Sequence, residues 1–247
     1  MQPHEFVDNL PDKITPAQKN VLMTVLSNLN NKINFDELIF NISNEENNSK
    51  WDLISKIERL KKLKLYSANP TPLTDIVQYG KASILSLKGV EPYVRETLVT
   101  GLLTQLFDAR KKNEIPPFFL VLEEIHNFAP QSGSGPAQKS LNIIRTIAGE
   151  GRKFGLGLCA ISQRPAKVDK NVLSQCGTQI VMKVTNPNDL KSILASCEGL
   201  DSSSTDEVAQ LNIGTCMLTG IIDTPLKVNV RPRMSKHGGE GASINFK

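Results

Sequence analysis

Long apolar runs and cysteines are scarce in this 247-residue chain, and each scarcity excludes a class of protein. The longest apolar runs, such as Phe118 to Leu122, are far shorter than the roughly 18 residues that a membrane-spanning helix needs. The polar start MQPHEFVDNLPDK has no signal-peptide core. The four cysteines include no CxxC pair and have no nearby histidine, so neither a zinc site nor a redox pair is indicated. We therefore expect a soluble, cytoplasmic protein with reduced cysteines.

The net charge is also small, at +4, and by itself it does not indicate a nucleic-acid partner. With 39% hydrophobic and 22% charged residues the composition is globular, which excludes wholesale disorder, collagen-like repeats and a disulfide scaffold. The positive charge is unevenly distributed. Between Gln131 and Lys170, seven basic residues stand against two acidic ones, so this segment could contact phosphates.

Residues 11–66 have the pattern of a helical block. Thr15 followed by Pro16 favours a helix start, because a capping residue precedes a proline at the first helical position. Apolar residues then recur at helical spacing. A short helix is predicted from Phe35 to Phe40, and a third helix begins near Trp51.

After a polar linker with two prolines at residues 67–74, short apolar strands alternate with amphipathic helices. This alternation is typical of an α/β fold with a parallel sheet. The predicted strands are Ser83 to Leu87, Phe118 to Leu122, Leu156 to Ser162, Thr178 to Val184, Gly214 to Thr219 and Leu226 to Val230. The predicted helices are Pro92 to Lys112, Gln138 to Ala148, Pro187 to Cys197 and Thr205 to Gln210.

Two carboxylates, Glu123 and Glu124, directly follow the apolar strand Phe118 to Leu122. Ligands of a parallel sheet bind outside the carboxyl ends of its strands, so this pair would lie where a nucleotide binds. One carboxylate there can hold the shell of a magnesium ion, while the other orients or deprotonates a water that attacks the γ-phosphate. Alternatively, the two acids open a following helix, where acidic residues favour the helix dipole. The motif alone leaves both interpretations open.

Two further motifs flank the next strand, Leu156 to Ser162. The sequence GRKFG at residues 151–155 precedes that strand, and Ser162-Gln163-Arg164-Pro165 ends it. The succession VLEEIHNFAP, EGRKFG, AISQRP and VLSQCGTQIVMKVTNPND resembles the HerA branch of the HerA/FtsK superfamily, the archaeal hexameric ATPases that translocate duplex DNA. The resemblance covers roughly residues 75–235, and several motifs in the right order are more specific than any one of them.

Residue by residue, the resemblance implies ATP and Mg²⁺ as cofactors. Glu123 and Glu124 match the extended Walker B pair, with Glu124 as the catalytic carboxylate and Glu123 holding magnesium through water. Gln163 matches the polar sensor at the end of the adjacent strand. Arg152 matches the arginine that reaches the γ-phosphate across a subunit interface, where a guanidinium can bind two phosphate oxygens, and Lys153 would help to bind the nucleotide.

Without the resemblance, the same residues can also be interpreted as purely structural. Arg152 and Lys153 would then form a solvated turn, and Gln163 would tie down a loop backbone. His126 and Trp51 we assign to packing, because neither has partners that would indicate metal binding or base stacking.

The sequence contains no P-loop of the form GxxxxGK[ST]. The nearest match, Gly133 to Ser140, has Gln138 in place of the glycine before the lysine and lacks an apolar strand ahead of it, so we interpret it as a loop leading into a helix. In the family, the P-loop strand is followed by a helical insertion and then by the strand that precedes Walker B. The helical block at residues 11–66 fits that insertion, and we expect the C-terminal half of such an enzyme.

The resemblance thus implies a partial RecA-like P-loop NTPase core of the α/β class, a mostly parallel sheet flanked by helices. We predict a helical bundle or insertion over residues 1–74, the core with Walker B over 75–235, and a C-terminal tail over 236–247. The implied function is part of a hexameric, ATP-driven double-stranded DNA translocase or helicase that processes DNA ends for repair with a NurA-type nuclease. The alternative is a non-catalytic DNA-binding or assembly module with a winged-helix-like unit at residues 11–66.

Overall fold

The computed structural model describes residues 6–7, 10, 14–29, 34–46, 49–62, 70–131, 138–197, 199–221 and 223–235. The chain forms two compact units, Met1–Gln175 and Cys176–Lys247. The predicted tail at residues 236–247, and residues 132–137 of the segment that resembles a P-loop, lie outside the described residues. The three domains predicted from the sequence stay predictions.

The first unit contains the helices α1 (Pro16–Asn28), α2 (Phe35–Ser43) and α3 (Lys50–Lys62). The start of α1 is confirmed by a capping box: Thr15 Oγ1 accepts a hydrogen bond from the Gln18 N–H at 3.3 Å, and Gln18 Oε1 accepts one from the Thr15 N–H at 2.9 Å. Trp51, assigned to packing, is instead 67% exposed. The three helices share an apolar core whose fully buried members include Leu22, Leu38, Ile42, Leu53 and Ile57.

A short helix, α4 (Leu73–Ile76), and a long one, α5 (Pro92–Lys111), come next. The strand predicted from Ser83 to Leu87 is wrong, because this segment has no regular secondary structure and Ile84 is 92% exposed. A strand depends on backbone hydrogen bonds to a neighbouring strand. No strand among the described residues pairs with this segment, so its apolar pattern alone does not make it a strand.

The part of the first unit that follows α5 contains β1 (Phe118–Leu122), α6 (Gln138–Glu150), β2 (Leu156–Ala160) and α7 (Lys170–Ser174). β1 and β2 pair in parallel, so their carboxyl ends lie at the same edge. The predicted strand at 118–122 is confirmed at both ends. The core around the two strands is formed by α5, α6 and the segment after β1, and its buried members include Leu103, Phe107, Ile125, Leu141, Ile144 and Leu156.

The second unit contains β3 (Gln179–Val181), α8 (Pro187–Ser196), α9 (Ser204–Ala209), β4 (Thr215–Thr219) and β5 (Leu226–Asn229). The strands form an antiparallel sheet in the order β3-β4-β5. β4 and β5 are joined by a short connection, which suits antiparallel pairing because a parallel pair needs a long crossover. Throughout the described ranges, every helix is too short or too polar to cross a membrane.

Candidate functional site

The carboxylate turn, Glu123 and Glu124, follows β1 directly and is held by the neighbouring strand segment. The Ile161 N–H donates to the Leu122 carbonyl at 3.0 Å, and the Ile125 N–H donates to the Ile161 carbonyl at 3.0 Å. The side chain of Ile125 is fully buried, which stabilises the fold by about 1.5–3 kcal/mol. The backbone is therefore fixed on both sides of the turn, while Glu123 is exposed and Glu124 is half-buried.

Glu124 has a left-handed backbone conformation, with φ 49° and ψ 45°. For a residue with a Cβ atom this conformation costs roughly 1–2 kcal/mol. Glu124 precedes a single 3₁₀ turn, Ile125–Asn127, yet its side chain does not cap that turn. Instead, Glu124 Oε2 lies 3.1 Å from His126 Nδ1. The contacts of Glu124 therefore give no support to the alternative that it serves as a helix-starting acid.

The loop after β2 meets the carboxylate turn through Ser162. Ser162 Oγ lies 3.0 Å from His126 Nδ1 and accepts a hydrogen bond from the Arg164 N–H at 3.0 Å. Gln163 stands between these two residues and is exposed. Ser162 therefore ties down the loop backbone, the role that the sequence left open for Gln163.

The GRKFG turn lies at the opposite end of β2. Its small and aromatic residues are packed: a Cβ atom on Gly151 would come within 2.7 Å of the Leu156 carbonyl oxygen, and the Phe154 ring makes an edge-to-face contact with Phe107 at 5.6 Å between centroids. Arg152 and Lys153, in contrast, are exposed. Packing of their neighbours thus directs both basic side chains to solvent.

The two predicted groups of site residues are separated within one chain. Glu123, Glu124 and Gln163 follow the carboxyl ends of β1 and β2, whereas Arg152 and Lys153 precede the amino end of β2. At about 3.3 Å per residue, a five-residue strand separates these ends by roughly 17 Å. The basic pair and the carboxylate turn of the same chain therefore do not contact each other.

Backbone hydrogen bonds connect the segment after the carboxylate turn to the segment after β2. The Asp169 N–H donates to the Ala129 carbonyl at 2.9 Å, and the Gln131 N–H donates to the Lys167 carbonyl at 2.8 Å. The Lys170 N–H donates to Gln131 Oε1 at 2.9 Å. These bonds hold the loop that carries Lys167 against residues 129–131, which follow the carboxylate turn along the chain.

An ion pair between Arg145 of α6 and Asp169 secures this connection. Arg145 donates to Asp169 Oδ1 through Nε at 3.0 Å and to Oδ2 through Nη2 at 2.6 Å. The Asp169 side chain is 4% exposed, and it also caps α7 by accepting from the Val172 N–H at 3.3 Å. The hydrogen bond from Arg145 lowers the pKa of the Asp169 carboxyl below its usual value, although burial opposes this shift. Asp169 is therefore held ionised.

The carboxylate turn has the chemistry of an outer magnesium ligand rather than of a closed metal cage. In the described part of the chain, no three His, Cys, Asp or Glu side chains are grouped to hold a metal ion. Magnesium keeps several waters and needs only one or two carboxylates when a nucleotide supplies phosphate oxygens. The exposed Glu123 fits that requirement.

The sequence interpretation missed two sets of contacts: those of His126 with Glu124 and Ser162, and the ion pair between Arg145 and Asp169. His126 was assigned to packing, but its ring contacts two polar side chains of the candidate site. The available signal was its position two residues after Glu124, since a residue there can reach back to the carboxylate. The Arg145–Asp169 contact joins residues 24 apart in sequence, and no local pattern indicates it.

The chain is similar in sequence to several helicases. The chain is 32% identical over 181 residues to a probable helicase of Methanocaldococcus jannaschii, covering 70% of this chain and 34% of that protein. It is 27% identical over 237 residues to the DNA double-strand break repair helicase HerA of Sulfolobus acidocaldarius, covering 90% and 47%. A HerA helicase of Pyrococcus furiosus is 35% identical over 137 residues, covering 52% and 24%. The chain thus spans between a quarter and a half of the length of these relatives, and no protein-family model matches it.

Among solved structures, VirB4 of Thermoanaerobacter pseudethanolicus has the same fold, with a TM-score of 0.68 at 14% identity. The match covers 93% of this chain and 68% of VirB4. The predicted fold class, an α/β core with a sheet flanked by helices, is confirmed. The predicted parallel pairing holds for β1 and β2, whereas the three-stranded sheet of the second unit is antiparallel, because the connection between β4 and β5 is too short for a parallel crossover.

Proposed function

We propose that this chain, a relative of the HerA-type helicases, is the part of an ATP-driven double-stranded DNA translocase that supplies the hydrolytic carboxylates. One observation carries the proposal. Two parallel strands end together, and the carboxylate turn of one meets the polar loop of the other through His126 and Ser162. Ligands of parallel sheets bind at such an edge.

The roles of the side chains follow from their exposure and chemistry. Glu124 would orient or deprotonate the water that attacks the γ-phosphate, and Gln163 on the adjacent loop would hydrogen-bond the phosphate or that water. Glu123 would hold Mg²⁺ through water, and the ion would neutralise charge on the phosphate oxygens when bound. Arg152 and Lys153, exposed at the other end of β2, would approach the nucleotide of a neighbouring subunit in a hexamer.

The proposal also names the partners of the whole protein. Duplex DNA would be the translocated substrate and a NurA-type nuclease the protein partner in end processing, by analogy with the helicases that the chain resembles. The cytoplasmic location predicted from the sequence follows from the same proposal, since the protein must meet DNA there. By itself the 247-residue chain would hydrolyse ATP negligibly, because its sequence contains no P-loop to bind the phosphates.

A fusion experiment tests the proposal. The chain is joined to the P-loop-bearing upstream part of a HerA-type relative, and ATP hydrolysis is measured for the fusion and for the chain alone. We expect turnover only in the fusion, and we expect Glu124→Gln to abolish it, because an amide cannot accept the proton. Glu114→Gln, which changes an exposed glutamate outside the carboxylate turn, is the matched control.

Two outcomes would contradict the proposal. The first is a fusion whose turnover is unchanged by Glu124→Gln. The second is robust ATP turnover by the isolated chain that Glu124→Gln abolishes, since the chain would then bind phosphates without a P-loop.

A further inference from the structure

We infer that His126 is a positioning residue that holds the Glu124 carboxylate in place and links it to Ser162 on the neighbouring strand. The inference rests on the proposed function for its chemical consequence, but the contact itself belongs to the fold and can be tested without ATP.

The backbone of Glu124 is fixed, but the backbone alone does not fix its carboxylate. The left-handed conformation and the hydrogen bonds on both sides of the turn set the direction of the Cα–Cβ bond. Beyond that bond the side chain keeps its own torsions, and it is 42% exposed. Without a partner, a half-exposed glutamate samples several rotamers. A carboxylate that orients a water molecule must instead stay in a single rotamer.

His126 provides that partner from a more buried position. Its side chain is 18% exposed, and Nδ1 lies 3.1 Å from Glu124 Oε2 and 3.0 Å from Ser162 Oγ. A carboxylate only accepts hydrogen bonds, so the proton of the contact must be on His126 Nδ1. Ser162 Oγ is itself fixed because it accepts from the Arg164 N–H. The single Nδ1–H is then shared between Glu124 Oε2 and Ser162 Oγ, which both accept, and the imidazole joins the carboxylate turn to the loop after β2.

Because His126 contacts Oε2, the other carboxylate oxygen, Oε1, would be the one that orients a water molecule. Loss of the His126 contact would leave Glu124 chemically intact but less well placed, and misplacement of a catalytic group by about 1 Å can cost about 100-fold in rate. We expect kcat to fall about 10- to 100-fold with KM little changed, because nucleotide binding does not use His126.

The first test uses the 247-residue chain as it is. Heteronuclear NMR of the histidine rings reports which nitrogen carries the proton, and the signals of His126 among the three histidines are identified by their loss in His126→Asn. We expect the Nδ1–H form for His126, and we expect Glu124→Ala to shift its ring signals. A His126 ring protonated at Nε2 alone, and unaffected by Glu124→Ala, would overturn the inference whatever the ATPase result.

The second test compares three variants in the fusion described above. Asparagine places its amide N–H near the position of Nδ1, glutamine places it nearer to Nε2, and alanine removes the donor. We expect His126→Asn to recover most of the rate that His126→Ala loses, and His126→Gln to recover little. Equal loss in all three folded variants would contradict a role for the Nδ1 hydrogen bond.

The two tests separate the two proposals. If the fusion does not hydrolyse ATP, the proposed function fails, while the NMR experiment still decides whether His126 holds Glu124. Thermal unfolding of each variant identifies any that do not fold, and the Ser162→Ala variant then provides an independent perturbation of the same ring. Its His126 signals are expected to shift, and unchanged signals would count against the link.

Discussion

Loss of the Arg145–Asp169 pair should weaken the first unit measurably. Arg145→Ala removes both hydrogen bonds from the guanidinium and leaves the buried Asp169 carboxylate with backbone N–H donors of α7, among them that of Val172. Asp169→Asn keeps an oxygen that can cap α7 but removes the charge. Both changes should lower stability, and Arg145→Lys should lower it less, since a lysine keeps the charge without the planar fork.

The magnitude follows from the burial of the two partners. Hydrogen bonds to charged groups contribute about 1.5–3 kcal/mol. Because the Arg145 side chain is 41% exposed, water screens the pair, and we expect about 1.5–2 kcal/mol, the lower part of that range. For a chain of this size each kcal/mol changes the Tm by roughly 2–4 °C, so Arg145→Ala should lower the Tm by about 3–8 °C.

The effect should depend on pH in one direction. The pKa of Asp169 is lowered in the folded state by its hydrogen bond with Arg145, so the pair stabilises the protein fully above the usual carboxyl pKa of 3.8. The contribution is lost as the pH falls through the lowered pKa of the folded state. The Tm difference between the wild type and Asp169→Asn should therefore be constant near neutral pH and shrink below about pH 4.

Thermal unfolding followed by circular dichroism measures these differences on the purified chain. Arg152→Ala is the matched control, because it removes an exposed arginine and should change stability by no more than about 0.5 kcal/mol. An Arg145→Ala variant as stable as Arg152→Ala at neutral pH would refute the reasoning, as would a Tm difference for Asp169→Asn that grows on acidification.

Two further predictions concern a buried acid and DNA. Burial raises the pKa of the Glu96 carboxyl, so its ionised form destabilises the fold at neutral pH. Glu96→Gln, whose side-chain oxygen can still accept from the Lys139 N–H, should therefore raise the Tm at neutral pH, and this gain should fade as the pH falls through the raised pKa. A lower Tm of the variant at neutral pH would contradict the prediction. Fluorescence anisotropy should show weak, sequence-independent duplex binding that falls steeply between about 50 and 200 mM salt, because phosphate contacts release counterions and become strong only when several subunits contribute. Tight, sequence-specific binding in physiological salt would instead favour a winged-helix unit at residues 11–66.

Local patterns predicted most of the secondary structure because they reflect local causes. Thr15 and Pro16 set the start of α1 through a capping box, and the run FFLVL forms β1 with the predicted bounds. The segment around Ile84 shows the limit of this approach. Its apolar residues suit a strand, but a strand exists only when another strand pairs with it, and pairing depends on the rest of the fold.

The sequence predicted those parts of the candidate site that follow from the order of strands and motifs along the chain. Parallel pairing of β1 and β2 places Glu124 and Gln163 at one edge, and the motif order indicated this. The contacts of His126 with Glu124 and Ser162 were missed: the position of His126 two residues after Glu124 was a signal, but the contacts also depend on a left-handed residue that is not glycine. Sequence patterns rarely indicate such a conformation, since it is unfavourable for most residues.

The central claim, that one chain's Glu124 works with the Arg152 of a neighbouring chain, is tested most directly by mixing variants of the fusion. Glu124→Gln and Arg152→Ala rings should each be nearly inactive, because an arginine that contacts the transferred phosphoryl group can contribute about 10³ to 10⁵ in rate. Lys153→Ala should lose less, since lysine lacks the planar fork. In a random equal mixture of the two inactive variants, roughly a quarter of the head-to-tail interfaces pair an intact Glu124 with an intact Arg152, so ATP hydrolysis should return. Mixed rings that stay as inactive as their parents, although subunit exchange is confirmed, would contradict the claim.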